Sequence, residues 1–309
     1  MDKRNHLKAL QQNVESVLLG KTETVRKVLV ALLARGHVLL EDVPGVGKTI
    51  LTRAIARSID CTFTRVQMTP DLLPSDILGV SVYDAGTGEF HFKRGPIFAH
   101  IVLADEINRT TPRTQSALLE AMNESQVSAD GKTYPLGPPF MVLATQNPYE
   151  FEGTYFLPES QLDRFMLRVR IGYPDKAVER DILRLQPART RLGNLQAVMS
   201  LEDLMALQQQ VLEVRIDEAI FDYILSIAEA TRRSEELNMG LSPRGSLALT
   251  QASRAAALLA GRDYVVPDDV KSLAANVCAH RLMTKTLTRD GSAAEAIFEH
   301  ILETVPVPR

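Results

Sequence analysis

Tryptophan is absent from this chain and cysteine nearly so: Cys61 and Cys278 are the only two in 309 residues. Two thiols so far apart in sequence supply neither a disulfide framework nor the paired spacing of a zinc site, and they fit a reducing, cytoplasmic compartment. No long apolar run is present either. The longest, Val28 to Leu40, is broken by Arg35, Gly36 and His37, too short and too interrupted to cross a bilayer, so no membrane insertion is expected. Met1-Asp2-Lys3-Arg4-Asn5-His6 is polar, without the apolar centre of a signal peptide. Charge of one sign is also missing. Lys and Arg number 35 against 38 Asp and Glu, a net charge of −3, so the chain has no overall basic footprint and nucleic acid is not an expected partner. There is no internal repeat and no low-complexity segment. What remains, 45% hydrophobic and 24% charged, is an ordinary globular composition of a length that suits two domains.

Up to residue 172, apolar strands alternate with helical patterns. The expected strands are Val38–Glu41, Cys61–Val66, Ile101–Asp105, Phe140–Ala144 and Met166–Ile171. Unbroken apolar runs such as Ile101-Val102-Leu103-Ala104 suit a parallel sheet covered on both faces. Thr111-Pro112 starts a helix, with Thr as N-cap and Pro in the first turn, and Ala117, Leu118, Ala121 and Met122 keep its period. Two hairpins interrupt this α/β pattern. One spans about Val80 to Lys93 around Ala85-Gly86-Thr87-Gly88; the other spans Gln126 to Pro135 around Asp130-Gly131. After Tyr173-Pro174-Asp175 the pattern is helical only. Ser200 to Asp203 reads as a capping box, Asp217 to Arg233 as an amphipathic helix with Ile220, Phe221, Ile224, Leu225, Ile227 and Ala228 inward, and Ser242-Pro243 and Pro267 as further starts. Helices alone after an α/β unit read as a separate, smaller domain.

Asp42-Val43-Pro44-Gly45-Val46-Gly47-Lys48-Thr49 lies between an apolar strand and a helix pattern beginning at Ile50. Strand, Gly-rich loop, Lys-Thr and helix in that order is the setting of a phosphate-binding loop. Its amides and the helix N-terminus form an anion cradle. Pro44, Gly45, Val46, Gly47, Lys48, Thr49 and Ile50 are therefore the nucleotide-binding candidates. Lys48 would reach the β- and γ-phosphates and Thr49 would ligate Mg²⁺. Asp42 stands where the standard pattern has Gly.

Hydrolysis also needs a metal, an oriented water and positive charge for the transition state. Asp105 and Glu106 close an apolar strand, where open α/β sheets bind ligands. Asp105 would join Thr49 around the metal and Glu106 would polarise the attacking water. Asn147 follows Phe140–Ala144 and would bond the water or the γ-phosphate; alone it would read as an Asx turn before Pro148. Arg164, before the last strand, is an arginine-finger candidate, since a planar, always charged fork suits phosphoryl oxygens. Arg244 opens a helix of the second part and is placed to reach across to the γ-phosphate. A guanine-reading Asn/Thr-Lys-x-Asp is absent. A small-molecule kinase remains open, although the paired acids with Asn147 favour water as acceptor.

In this order the residues resemble the MoxR family of AAA+ ATPases over almost the whole chain. The matching segments include Ala31 to Thr49, Leu103-Ala104-Asp105-Glu106-Ile107-Asn108-Arg109-Thr110, Gln115 to Met122, Ala144 to Pro148, Gly153 to Phe165, Arg262 to Val270, and His280-Arg281-Leu282. The resemblance implies a P-loop AAA+ core over residues 1–173, with a five-stranded parallel sheet, helices on both faces and two β-hairpin inserts, and an all-helical lid over 174–309. It implies ATP and Mg²⁺ as ligands, with Gly20 near the adenine. It further implies a homo-oligomeric ring, usually a hexamer, in which Arg164 acts on the neighbour's ATP, Asn147 is sensor 1 and Arg244 sensor 2. Such proteins are similar to chaperones that mature or activate protein clients, often ones with a von Willebrand factor A domain. Two other readings stay open: a DNA-dependent motor or loader built on the same core, and a nucleotide-gated scaffold that barely cleaves ATP.

Overall fold

A computed structural model describes residues 3–148, 153–285 and 292–308; Met1 and Asp2 of the polar N-terminal stretch lie outside the described residues. Its strands in chain order are β1 Val38–Glu41, β2 Phe63–Gln67, β3 Gly79–Asp84, β4 Glu89–Arg94, β5 Ile101–Asp105, β6 Gln126–Ala129, β7 Lys132–Pro135, β8 Met141–Gln146 and β9 Leu167–Val169. Five of them form one parallel sheet in the order β2-β5-β8-β1-β9. All of β1 and β8 and the first four residues of β5 are buried, as the unbroken apolar runs require of central strands covered on both faces. Each Val or Leu so buried contributes about 2 kcal/mol against the entropy of ordering the chain.

Helices α1 Lys3–Glu15, α2 Thr22–Leu33, α3 Lys48–Ile59, α4 Pro74–Leu78, α5 Pro112–Glu124 and α6 Glu159–Leu162 surround the sheet and its loops. The two hairpins form as expected, β3 with β4 and β6 with β7, and Phe92 of one stacks on Tyr134 of the other at 4.1 Å. Beyond β9 come α7 Lys176–Leu185, α8 Pro187–Thr190, α9 Leu201–Glu213, α10 Glu218–Arg233, α11 Pro243–Leu259, α12 Pro267–Cys278 and α13 Ser292–Thr304. A short antiparallel ribbon, β10 Leu237–Met239 with β11 Met283–Thr284, joins these helices and was not legible in the helical pattern.

Several element ends differ from the sequence expectation, each for a local reason. The β2 strand starts at Phe63 because α3 ends in a left-handed Asp60 and Cys61 N–H still bonds Ala56 O. It runs on to Gln67, which pairs with Asp105. The β8 strand extends to Gln146 opposite Glu41. The β9 strand stops at Val169 because the Ile171 and Gly172 amides go to a side chain, not to the ladder. Helix caps behave as read: Thr111 accepts from Thr114 N–H, and Ser200 and Asp203 form a reciprocal box. In α10, Tyr223 takes a buried place that sequence periodicity gave to Phe221 and Leu225; Leu225 is exposed. His37, at the entrance of β1, accepts from Val142 N–H at Nδ1 and lies 3.0 Å from Met122 O at Nε2. Burial pushes its pKa down to about 4, so the ring is neutral and Nε2–H donates to that carbonyl.

Candidate active site

The loop after β1 opens α3 through Gly47, whose φ of 104° is left-handed, and Gly45 has φ of 87°. Both conformations favour glycine. A Cβ on Gly45 would meet nothing within 4 Å, whereas one on Gly47 would strike Leu18 at 2.8 Å. The loop is therefore open on one side and walled on the other. Gly20, with φ of 69°, leaves no room for a Cβ against Val178, so the segment from Leu18 to Gly20 and the start of α7 lie beside the cradle. Lys48 Nζ donates to Asp42 O at 2.8 Å. Burial lowers the pKa of its ammonium, while Asp105, Asp42 and Glu106 pull it back up.

Asp42 has a specific reason to replace glycine. Its Oδ1 accepts from Val43 N–H at 2.8 Å, and its Oδ2 accepts from Ile171 and Gly172 N–H at 2.7 and 2.6 Å. The side chain thus ties the phosphate loop to the turn by which the chain leaves the sheet. Glu41, just before it, is buried between Arg168 (3.6 Å) and Arg170 (3.3 Å), which both reach Glu295 of α13. Asp42→Gly restores the standard loop residue but strands three amides, those of Val43, Ile171 and Gly172. Buried unpaired amides cost about 1–3 kcal/mol each, so a loss of roughly 2 kcal/mol or more is expected in urea unfolding. Asp42→Asn, which keeps one accepting oxygen, should lose less. A glycine variant as stable as the parent would show that the carboxylate holds nothing.

The acids at the end of β5 are gripped from both sides. Arg65 donates twice to Asp105 Oδ2, at 3.0 and 2.6 Å, and Thr145 Oγ1 donates to Asp105 Oδ1 at 2.6 Å while accepting from Glu106 N–H at 2.8 Å. Gln67 Nε2 donates to Glu106 Oε2 at 2.7 Å, and Arg109 Nη1 lies 3.2 Å from the same oxygen. Glu106 itself has φ of 61°, a left-handed conformation costing of order 1 kcal/mol that recurs at functional sites. Because β8 lies between β5 and β1, Asn147 leaves the sheet between Asp105 and the phosphate loop. A hydroxyl at Thr49 with a carboxylate at Asp105 is a hard oxygen donor set that fits Mg²⁺ completed by water and phosphate oxygens. Among the described residues no cluster of three or more His, Cys, Asp or Glu offers an all-protein metal site.

Arg164 and Arg244 lie elsewhere. Arg164 precedes β9, whose parallel partner β1 places that end beside His37: Met166 N–H bonds His37 O at 2.8 Å. The phosphate loop leaves the other end of β1, about 13 Å away at the rise of a four-residue strand. Arg164 Nη1 donates to Leu119 O, and Arg244 bonds Asn123 Oδ1 at 2.7 Å with Asp163 Oδ2 at 3.6 Å. Arg244 therefore sits on the same side of the sheet as Arg164, away from its own chain's phosphate loop. The two arginines share a cleft of about 520 Å³ with Arg35 and Arg281.

So the structure brings together Gly20, the loop Pro44–Ile50, Asp105, Glu106 and Asn147, and separates Arg164 and Arg244 from them. Arg65, Gln67 and Thr145 escaped sequence reading. Arg65 and Gln67 sit two apart on an edge strand and so share a face, but only the β2–β5 register shows which acids they meet. Thr145 looked like the start of a loop and is the fifth residue of β8.

Comparison with known proteins agrees with this architecture. Residues 37–167 match the ATPase family associated with various cellular activities (AAA), and residues 229–301 match the AAA lid domain. An uncharacterised protein of Bacillus subtilis, YeaC, is 52% identical over 96% of this chain and 93% of its own. Chaperone MoxR1 of Mycobacterium tuberculosis is 42% identical over 96% of this chain and 81% of its own. The crystal structure of a candidate ATPase of Cytophaga hutchinsonii superposes with a TM-score of 0.89 at 37% identity, covering 99% of this chain and 96% of the other. With a phosphate loop, paired strand-end acids, two hairpin inserts and a helical lid in one order, the chain belongs to the MoxR family of AAA+ ATPases.

Proposed function

We propose that this protein is a Mg²⁺-dependent ATPase that works as a homo-oligomeric ring, a hexamer, and uses ATP turnover to remodel or activate partner proteins in the cytoplasm. The observation that carries the reading is the split site: cradle and acids at one edge of the sheet, Arg164 and Arg244 at the other. One chain cannot close both around one nucleotide, whereas head-to-tail copies can. Residues 1–173 act as the nucleotide core and 174–309 as the lid. Gly45, Gly47 and the α3 amides hold the phosphates, Lys48 leaves Asp42 O for them, and Leu18, Gly20 and Val178 border the base. Mg²⁺, when bound by Thr49 and Asp105, neutralises phosphate charge. Glu106 orients the water with Asn147. Val80, Val82, Tyr83 and Phe90 on the first hairpin are exposed and form the client-facing surface, for which proteins with a von Willebrand factor A domain are the proposed class. The named chaperone among the relatives supports a protein client.

Phosphate release per protomer in Mg-ATP should rise with protein concentration and level off as rings form, followed by sedimentation velocity in parallel. Full turnover by a monomer would overturn the shared site. Strong stimulation by DNA that fades steeply with salt would replace the protein client with a nucleic-acid one.

A further inference from the structure

His280-Arg281-Leu282 is distinctive in the sequence but has no part in the cradle. The pair His280-Arg281 forms a 3₁₀ turn after α12, and Arg281 is 6% exposed. Apart from one bond back to α12, its guanidinium is spent on one short stretch of chain. Nε donates to Asp163 Oδ1 at 2.7 Å; Nη2 donates to Phe165 O at 2.8 Å and Asp163 O at 3.3 Å; Nη1 donates to Met166 O at 3.2 Å and to Val277 O. His280 Nε2 lies 3.0 Å from the same Phe165 O. These acceptors bracket Arg164. Two glycines permit the approach: a Cβ on Gly36 would strike Met166 at 2.5 Å, and one on Gly245 would crowd Leu241 at 2.4 Å and Arg281 at 3.1 Å. The other oxygen of Asp163 faces Arg244.

We propose that Arg281 is a positioning residue for the reaction: from the lid it clamps the strap Asp163–Met166 so that Arg164 and Arg244 present one fixed cationic face to the neighbouring copy's nucleotide. The proposal rests on the shared-site reading above. The chemistry is that of a planar fork. Five donors in fixed directions can hold a carboxylate and three main-chain carbonyls at once, and a lysine ammonium at the same place cannot. The strap has one rigid end, because Phe165 is fully buried and Met166 is held by His37 O. Arg281 reinforces that end and is what holds the other, at Asp163, so it sets the direction of Arg164 between them. Its effect must appear in the adjacent subunit's site, not in its own.

The test uses full-length rings. Arg281→Lys should bind Mg-ATP with a Kd within about threefold of the parent and lose about 10²-fold in kcat, the scale expected when a catalytic group is misplaced by an ångström. Asp163→Asn, which removes the charged partner and keeps its shape, is the second variant and should show the same split. Each is then mixed with Lys48→Ala, which carries an intact strap but no working cradle. Mixed rings should turn over ATP roughly tenfold or more faster than either variant alone, because the sound finger serves the sound cradle. Unchanged kcat in both variants overturns the proposal. So does a loss that mixing does not repair while Arg164→Ala mixed with Lys48→Ala recovers. If that control pair itself stays dead, the shared site is wrong and Arg281 has no finger to aim.

Discussion

Glu106→Gln is expected to bind Mg-ATP as the parent does and to turn it over about 10²–10⁴-fold more slowly, the range for loss of a general base. The substitution keeps the shape and removes the charge. No hydrogen bond of the cradle uses that carboxylate, which is only the last of three acids that help keep Lys48 charged: the Glu106 N–H bonds Thr145, and the phosphate loop is held by Lys48 and Asp42. What changes is the carboxylate that Gln67 and Arg109 now hold. In the structure both partners converge on Oε2, which leaves Oε1 the oxygen through which water would be polarised. Equilibrium binding of a fluorescent nucleotide and single-turnover phosphate release on one preparation separate the two effects. Parent-like turnover would remove Glu106 from the chemistry. A parallel loss of affinity would mean that the left-handed backbone at Glu106 collapses without the charge, and the effect would be structural. Asn147→Ala in the same assay distinguishes its neighbour, since it too follows the sheet's C-terminal edge.

The parts of this site that could be read from sequence are those built within one segment. Lys48 and Thr49 follow their strand directly, Asp105 and Glu106 end theirs, and the glycines at 45 and 47 mark the left-handed turns between. Local order is enough to place such residues relative to one another. Arg65, Gln67 and Thr145 belong to pairings across strands. They could not be assigned without the order β2-β5-β8, which single-sequence periodicity does not contain. Asp42 shows the same limit from the other side. It looked like a defect in a loop pattern and is a cap for amides 129 and 130 positions away. The surroundings of Arg244 were not legible for a further reason. Its position at a helix start was correct, with Ser242 as N-cap, but the packing of α11 against α2 and α9 decides which edge of the sheet it meets. The small ribbon of β10 and β11 went unseen because segments of three and two residues carry no period.

Arg164→Ala should leave nucleotide affinity within about threefold of the parent and lower kcat by roughly 10³–10⁵-fold, the contribution of an arginine finger, or about 4–7 kcal/mol of transition-state stabilisation. The affinity half of the prediction follows from topology. Arg164 stands at the entry end of β9 and the phosphates at the exit end of β1, so in a single chain the side chain contributes nothing to ground-state binding. The rate half follows from what the guanidinium does when a second copy arrives. In the proposed ring it would give up one bond to Leu119 O and offer its fork to oxygens whose negative charge grows as the phosphoryl group leaves. Arg164→Lys is the sharper variant. It keeps the charge and loses the bidentate geometry, so it should recover only a small part of the rate. Steady-state turnover, nucleotide titration and sedimentation on the same samples give the three readouts required. If Arg164→Ala loses affinity and rate together while rings still form, Arg164 touches the ground state and the edge-to-edge geometry is wrong. If rings themselves fail, the residue is an assembly contact; Arg164→Lys, with its charge intact, should then reassemble the ring and regain the parent's turnover, whereas a true finger remains slow in a fully assembled ring.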